Sequence, residues 1–131
     1  MWPFRRDDAP GPRGERLATR HLRRAGCKVL ARNYRCPVGE ADIIVLDPST
    51  KSELGVESVA FVEVKTRGDD EGVAPESAVD RRKRRQLTRV ARYYLSHHDV
   101  EDRRVRFDVV AVVLPPDGKP RIRHIPDAFE P

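Results

Sequence analysis

Phe61-Val62-Glu63-Val64-Lys65 reads as a buried strand, yet it sets two opposite charges on one side of that strand. Residues two apart on a strand share a face, so Glu63 and Lys65 project together while Val62 and Val64 fill the other side. Burying a charge without a partner costs several kcal/mol or shifts its pKa, so a central strand keeps such a pair only where something compensates it. Asp42 opens the preceding apolar run, Ile43-Ile44-Val45-Leu46. Two carboxylates and a lysine are the groups that a divalent cation and an activated water require.

Outward from this stretch, residues 47–55 break the apolar pattern as a loop, and residues 59–66 resume it. The simplest arrangement is an antiparallel pair joined by that loop, which brings Asp42 beside Glu63 and Lys65 at one end of a sheet. Upstream, residues 28–31 form a short strand, followed by a polar connection over residues 32–39. Residues 14–25 have a helical period through Ala18, Leu22 and Ala25, with Gly26 as the stop. Glu15 lies three residues before Ala18, in line with the buried stripe. It either faces the core or a cleft, or favours the helix N-terminus through the macrodipole; both readings stay open.

Downstream, residues 68–72 form an acidic loop, and Pro75 marks the first turn of a long helix that reaches about Ser96. Val79, Leu87, Val90, Ala91, Tyr94 and Leu95 keep its apolar period. Lys83 is spaced four residues from both Val79 and Leu87 and therefore belongs to the inward stripe. It either contacts a phosphate or active site, or snorkels past the core edge. Arg81, Arg82, Arg84 and Arg85, continued by Arg89 and Arg92, cover the rest of the helix, and clustered arginines beside a phosphate site track a nucleic-acid backbone. His97-His98 read as exposed caps favoured by the helix C-terminus. A strand over residues 105–114, the turn Pro115-Pro116-Asp117-Gly118 and a last short strand over residues 121–125 complete the pattern with a hairpin. Asp108, a charge within an apolar strand, pairs with an arginine such as Arg67 or lines the site, and the sequence does not choose.

With 131 residues the chain fits one domain, here residues 14–126, between a flexible arm of residues 1–13 and a tail of residues 127–131. The 26 Lys and Arg against 21 Asp and Glu give a net charge of +5 and a pI near 9.6, which suits a phosphate-rich partner. No apolar run approaches the roughly 20 residues that cross a bilayer, and the first residues, Met1-Trp2-Pro3-Phe4-Arg5-Arg6, carry no apolar secretory segment. The expectation is a cytoplasmic protein with no membrane partner. Cys27 and Cys36 are too few for a disulfide scaffold, and Cys27, after Gly26, reads as a small buried thiol. The chain has no glycine-rich phosphate loop, no G-x-S-x-G elbow and no H-E-x-x-H pair.

With Asp42, Glu63-x-Lys65, a helical Glu15 upstream and a basic helix downstream, the chain resembles the PD-(D/E)XK nuclease superfamily. Within it, the chain is similar to the small bacterial YraN-like proteins, themselves similar to archaeal Holliday-junction resolvases. The likeness runs through Gly14-Glu15, Asn33-Tyr34-Arg35, Gly39-Glu40-Ala41-Asp42-Ile43-Ile44, Phe61 to Arg67, Lys83 and Arg106-Phe107-Asp108. One departure is Ala41, which stands where the pattern has proline and removes no ligand. The resemblance implies an α/β, restriction-endonuclease-like single domain, a mixed central sheet flanked by helices. It also implies that Asp42, Glu63 and the Val64 carbonyl hold Mg²⁺ or Mn²⁺, and that Lys65 orients or deprotonates a water. Glu15 would add a ligand or hold a water, Lys83 would touch the phosphate, and Arg81, Arg82, Arg85 and Arg67 would bind nucleic acid. The expected function is a metal-dependent endonuclease acting on DNA, in particular branched or structured DNA, for which a homodimer would suit a two-fold junction. One alternative is a non-catalytic nucleic-acid-binding module that retains the nuclease fold. Another is an interaction protein in which Glu63 and Lys65 are a structural ion pair.

Overall fold

Strand residues such as Ile43, Ile44 and Val45 are apolar on both sides of the chain, so the sheet they form needs cover on both faces. The computed structural model, which describes residues 10–68, 79–100 and 102–130, provides that cover with one long helix on each face. The element order is α1 (Pro10–Arg24), β1 (Lys28–Cys36), β2 (Gly39–Asp47), a 3₁₀ turn (Pro48–Thr50) with the one-turn α2 (Lys51–Leu54), β3 (Ser58–Arg67), α3 (Arg81–His97), β4 (Arg104–Val113) and β5 (Arg121–Ile125). The five strands lie in the order β1-β2-β3-β4-β5. β3 and β4 are parallel and joined through α3; all other neighbours are antiparallel. This is the mixed sheet flanked by helices that the sequence predicts, in restriction-endonuclease-like form.

Alternation along the strands divides the core between the two helices. Ala18 and Leu22 of α1 pack on Ile43, Val45, Ala60, Val62, Val110 and Val112. Leu87, Val90, Ala91 and Tyr94 of α3 pack on Ile44, Val59, Phe61, Phe107 and Val109. Aromatic edges bind the second layer: Tyr94 meets Tyr34 and Phe61 at ring-centroid distances of 5.3 and 5.8 Å with near-perpendicular planes. α1 ends in a double hydrogen bond, Cys27 N–H to Leu22 O and Gly26 N–H to Arg23 O, each at 3.0 Å, and Gly26 with φ +95° supplies the left-handed residue that this ending needs.

Several boundaries differ from the sequence expectation. α1 starts at Pro10, so residues 10–13 of the expected arm are helical; residues 1–9 lie outside the described residues. β1 runs to Cys36, not Ala31, because an edge strand with half-exposed Arg, Asn and Tyr residues shows no apolar period. Pro37 and Val38 alone make the turn into β2. α3 starts at Arg81 with Asp80 as its N-cap, its carboxylate accepting from Lys83 N–H at 2.9 Å; Pro75 and residues 69–72 of the acidic loop lie outside the described residues. Val79 is buried but precedes the helix. β4 spans Arg104–Val113, one residue earlier than expected. The tail docks: Ala128 N–H donates to Phe107 O at 2.8 Å, and Phe129 stacks on Phe107 at 5.4 Å.

Asp108 pairs with Arg106, two residues away on the same face, and not with Arg67. Both Asp108 oxygens accept from Arg106 at 2.8 Å, His124 lies 2.7 Å from Oδ2, and Asp127 N–H donates to Oδ1 at 3.0 Å. Arg106 reaches on to Asp47 Oδ2 at 2.9 Å, so one buried cluster ties β2, β4, β5 and the tail. The bonds from His124, Arg106 and Asp127 hold Asp108 below the usual carboxylate range in spite of its burial, and those from Ser49 and then Arg106 do the same for Asp47. Asp108→Ala leaves a buried guanidinium with half its partners, and is expected to destabilise the fold by about 3 kcal/mol in urea unfolding; a loss under about 1 kcal/mol would show that the cluster is not needed.

Candidate active site

At the other end of the sheet the charges are arranged differently. The β2–β3 ladder runs from Asp47↔Ser58 to Ile43↔Val62, and Asp42 is the next residue beyond its last pair. There the Asp42 side chain replaces the backbone as acceptor, taking the Val64 N–H on Oδ2 at 2.8 Å. That bond anchors one carboxylate beside the Glu63-Val64-Lys65 segment. Glu63 follows Phe61 on the α3 face, and its residue is 6 % exposed.

Two lysines flank Glu63. Lys65 Nζ lies 3.7 Å from Oε1, and Lys83 Nζ lies 3.7 Å from Oε2. The first confirms that Glu63 and Lys65 share a face; the second places Lys83, from the first turn of α3, over the same carboxylate. Lys83 Nζ makes its hydrogen bond elsewhere, to Gln86 Oε1 at 2.9 Å. At 3.7 Å neither lysine is within hydrogen-bond reach, and among the described residues buried Oε2 has no hydrogen-bond partner. Burial first, and then the Asp42 charge, push the Glu63 carboxyl up to about 7 against the pull of the two lysines. Asp42 is also raised, mainly by burial, although the Val64 bond and Lys83 oppose the shift.

Glu15 comes from the first turns of α1 and joins this group electrostatically. Its pKa is raised by partial burial and then by Asp42, against a hydrogen bond from the Asn33 side chain. The helix can come so close because residue 14 is glycine: a Cβ there would collide with the Thr66 side chain on β3. Asn33 was not singled out as a site residue by the sequence reading. Its backbone is left-handed, φ +50°, a conformation that asparagine adopts more readily than most residues, but the sequence alone does not show it. Gln86 was likewise missed, since a glutamine on a helix carries no pattern of its own.

The remaining predicted residues lie around this centre. Arg82 lines an open groove of about 450 Å³ together with Lys83, Gln86, Arg89, Asp80 and Val38. Arg81 and Arg85 are exposed on α3, outside the lining of that groove. Arg67 is half-buried and engaged at the end of β3. His97 and His98 sit at the end of α3 with Nδ1 on the carbonyls of Tyr93 and Tyr94 at 2.8 and 2.9 Å, as helix caps do. Cys27 is a buried thiol pushed up to about 11, mainly by burial.

Among the described residues no three His, Cys, Asp or Glu side chains come close enough together to hold a metal. The carboxylates that meet at the sheet end are Asp42 and Glu63. Two raised carboxylates and an unbonded, buried Oε2 have the hard, anionic character that Mg²⁺ or Mn²⁺ binds, and a cation there would relieve the desolvation that raises both acids.

The model of the Uncharacterised protein family UPF0102 matches residues 14–112, an interval that contains Glu15, Asp42, Glu63, Lys65 and Lys83. A UPF0102 protein of Solibacter usitatus is 45% identical over 118 residues, covering 88% of this chain and 82% of its own. One from Pelobacter propionicus is 42% identical over 120 residues, 92% and 81% of the two chains, and one from Beutenbergia cavernae is 42% identical over 122 residues, 93% and 97%.

Since the folded-state pKa of Glu63, about 7, lies above its ordinary 4.5, the stability tied to its protonated form is intact below pH 4.5 and is lost as pH rises through 7. Glu63→Gln removes this liability. In thermal or urea unfolding without metal, the variant is expected to exceed the wild type by about 1–3 kcal/mol at pH 8 and to match it near pH 4.5. A gap that does not change with pH would contradict the burial of an ionised Glu63.

Proposed function

The chain belongs to the uncharacterised protein family UPF0102, the YraN-like family of PD-(D/E)XK nuclease type, and we propose that it is a metal-dependent endonuclease acting on branched or otherwise structured DNA in the cytoplasm. One observation carries the reading. Glu63 is buried beside Asp42, with a lysine near each of its oxygens and, among the described residues, no hydrogen bond on Oε2. A structural ion pair has no need of that arrangement, as the bonded Arg106–Asp108 pair illustrates.

Asp42, Glu63 and the Val64 carbonyl would hold Mg²⁺ or Mn²⁺. When bound, such a cation supplies Lewis-acid polarisation of a phosphodiester oxygen and makes a water more acidic. Asp42 is held for this task by the Val64 N–H, which fixes one oxygen and leaves the other. Lys65, partly exposed at the mouth of the site, orients or deprotonates the attacking water and offsets the phosphate charge. Lys83, kept in place by Gln86, offers a second ammonium to the phosphate. Glu15 holds a water or adds a ligand from the α1 side. The exposed Arg81, Arg82 and Arg85, with Arg67 at the strand end, bind the backbone electrostatically.

Cleavage of labelled four-way junction, flap, single strand and plain duplex with Mg²⁺, Mn²⁺ or EDTA tests this. Wild type is expected to cut a branched substrate only with metal. Glu63→Ala and Lys65→Ala are each expected to lower the rate by at least about a hundred-fold. Metal-dependent cutting that survives Glu63→Ala would remove the proposal, and salt-sensitive binding without any cutting would leave a non-catalytic nucleic-acid-binding module in its place.

A further inference from the structure

α1 carries a second basic surface that none of the assignments above uses. Between Pro10 and Arg24 the helix holds five arginines and a single acid, Glu15, which faces the active site. Arg16, Arg20, Arg23 and Arg24 recur at the i, i+4, i+7, i+8 spacing of one helical stripe. Arg32 approaches from β1, and together the five arginines and Thr19 line a depression of about 350 Å³. The charges converge from two elements on one concave surface. Among the described residues no carboxylate lies within ion-pair distance of Arg20, Arg23 or Arg24. Like charges four apart weaken a helix, here at Arg16–Arg20 and Arg20–Arg24. The C-terminal dipole favours Arg23 and Arg24 but not the two upstream.

We propose that this α1–β1 depression binds the phosphate backbone of a nucleic-acid segment other than the one along α3; the inference builds on the nucleic-acid reading of the α3 face. The topology supports a separate segment. Both helices start at the active-site end, α1 with Gly14 against Thr66 and α3 with Lys83 over Glu63, and both then run away from it on opposite faces of the sheet. A straight duplex laid across the site meets the first turns of each helix but cannot follow both arginine rows. Two segments that leave the site past either face can follow both. An anionic membrane is the weaker fit, because the apolar stripe of α1, Ala18 and Leu22, is fully buried against the sheet and leaves nothing to insert.

The test is binding of a fluorescent four-way junction in EDTA over a range of salt concentrations, with vesicles of phosphatidylserine and phosphatidylcholine as the competing surface. Arg20→Gln/Arg24→Gln is expected to weaken junction binding about ten-fold at low salt and to lower the log–log salt slope by about 2, since each neutralised phosphate contributes roughly 0.9. Arg32→Gln, on a different element, should lower the slope by about 1. Melting temperatures of these exposed variants serve as the folding control. Unchanged affinity and slope in both variants would overturn the second surface, as would a loss confined to vesicle binding or a wild type that binds no DNA. Cleavage is not read in EDTA, so failure of the nuclease reading leaves this result standing, and failure here leaves the Glu63 chemistry untouched.

Discussion

A carboxylate taken out of water must be hydrogen-bonded, neutralised by a cation or protonated, and Glu63 sits where these demands conflict. Its strand has to be buried because Phe61 and Val62 form the centre of both apolar layers. Its neighbour Asp42 is fixed beside it by the Val64 N–H. The lysines that approach it stop at ion-pair distance, and among the described residues Oε2 has no hydrogen bond. The rest of the domain serves to maintain this position: the β2–β3 ladder stops one residue short so that Asp42 can turn inward, Gly14 lets α1 close on the strand end, and Asp80 caps α3 so that Lys83 lies above the carboxylate.

The opposite end of the same sheet offers an internal control. There Arg106, Asp108 and Asp47 are equally buried, yet their bonds to one another, to His124 and to Ser49 satisfy the acids and hold Asp47 and Asp108 below their ordinary range. At the Glu63 end three acids, Glu15, Asp42 and Glu63, move upward. One fold therefore contains a charge cluster that is complete within the protein and one that is not. A closed cluster of this kind joins strands; an open one is what the proposed metal would complete.

Much of the open cluster was legible in the sequence because it rests on short-range rules. The two-residue strand period puts Glu63 beside Lys65, an apolar run on either side of a loop gives the β2–β3 pair, and helical spacing points Lys83 inward. What escaped depends on contacts far along the chain or on weak local pattern. Arg106 meets Asp47 across 59 residues, which no spacing reveals. β1 looked like a loop beyond Ala31 because an edge strand buries only part of Tyr34 and Cys36. Val79 imitated a helical position while lying ahead of the Asp80 cap, and Phe129 looked like tail until Phe107 gave it a stacking surface.

The direction of the helices joins the chemistry to the charge. The sheet order sets β1 parallel to β3, so α1 and α3, each followed by a strand that runs the same way as β3, both point their N-termini at the Glu63 end. Their dipoles add positive potential where a phosphate would enter, and their arginines extend that potential down the two outer faces. Part of the basic charge thus lies in two rows, Arg16, Arg20, Arg23 and Arg24 on α1 and Arg82, Lys83 and Arg89 on α3, that start from the same end of the sheet. On the proposed reading a polyanion drawn to either row would be guided toward the carboxylates, which would repel it unless cations, the two lysines and a metal among them, stood between; the positive charge that offsets the burial of Glu63 is also the charge that would let a phosphate approach it.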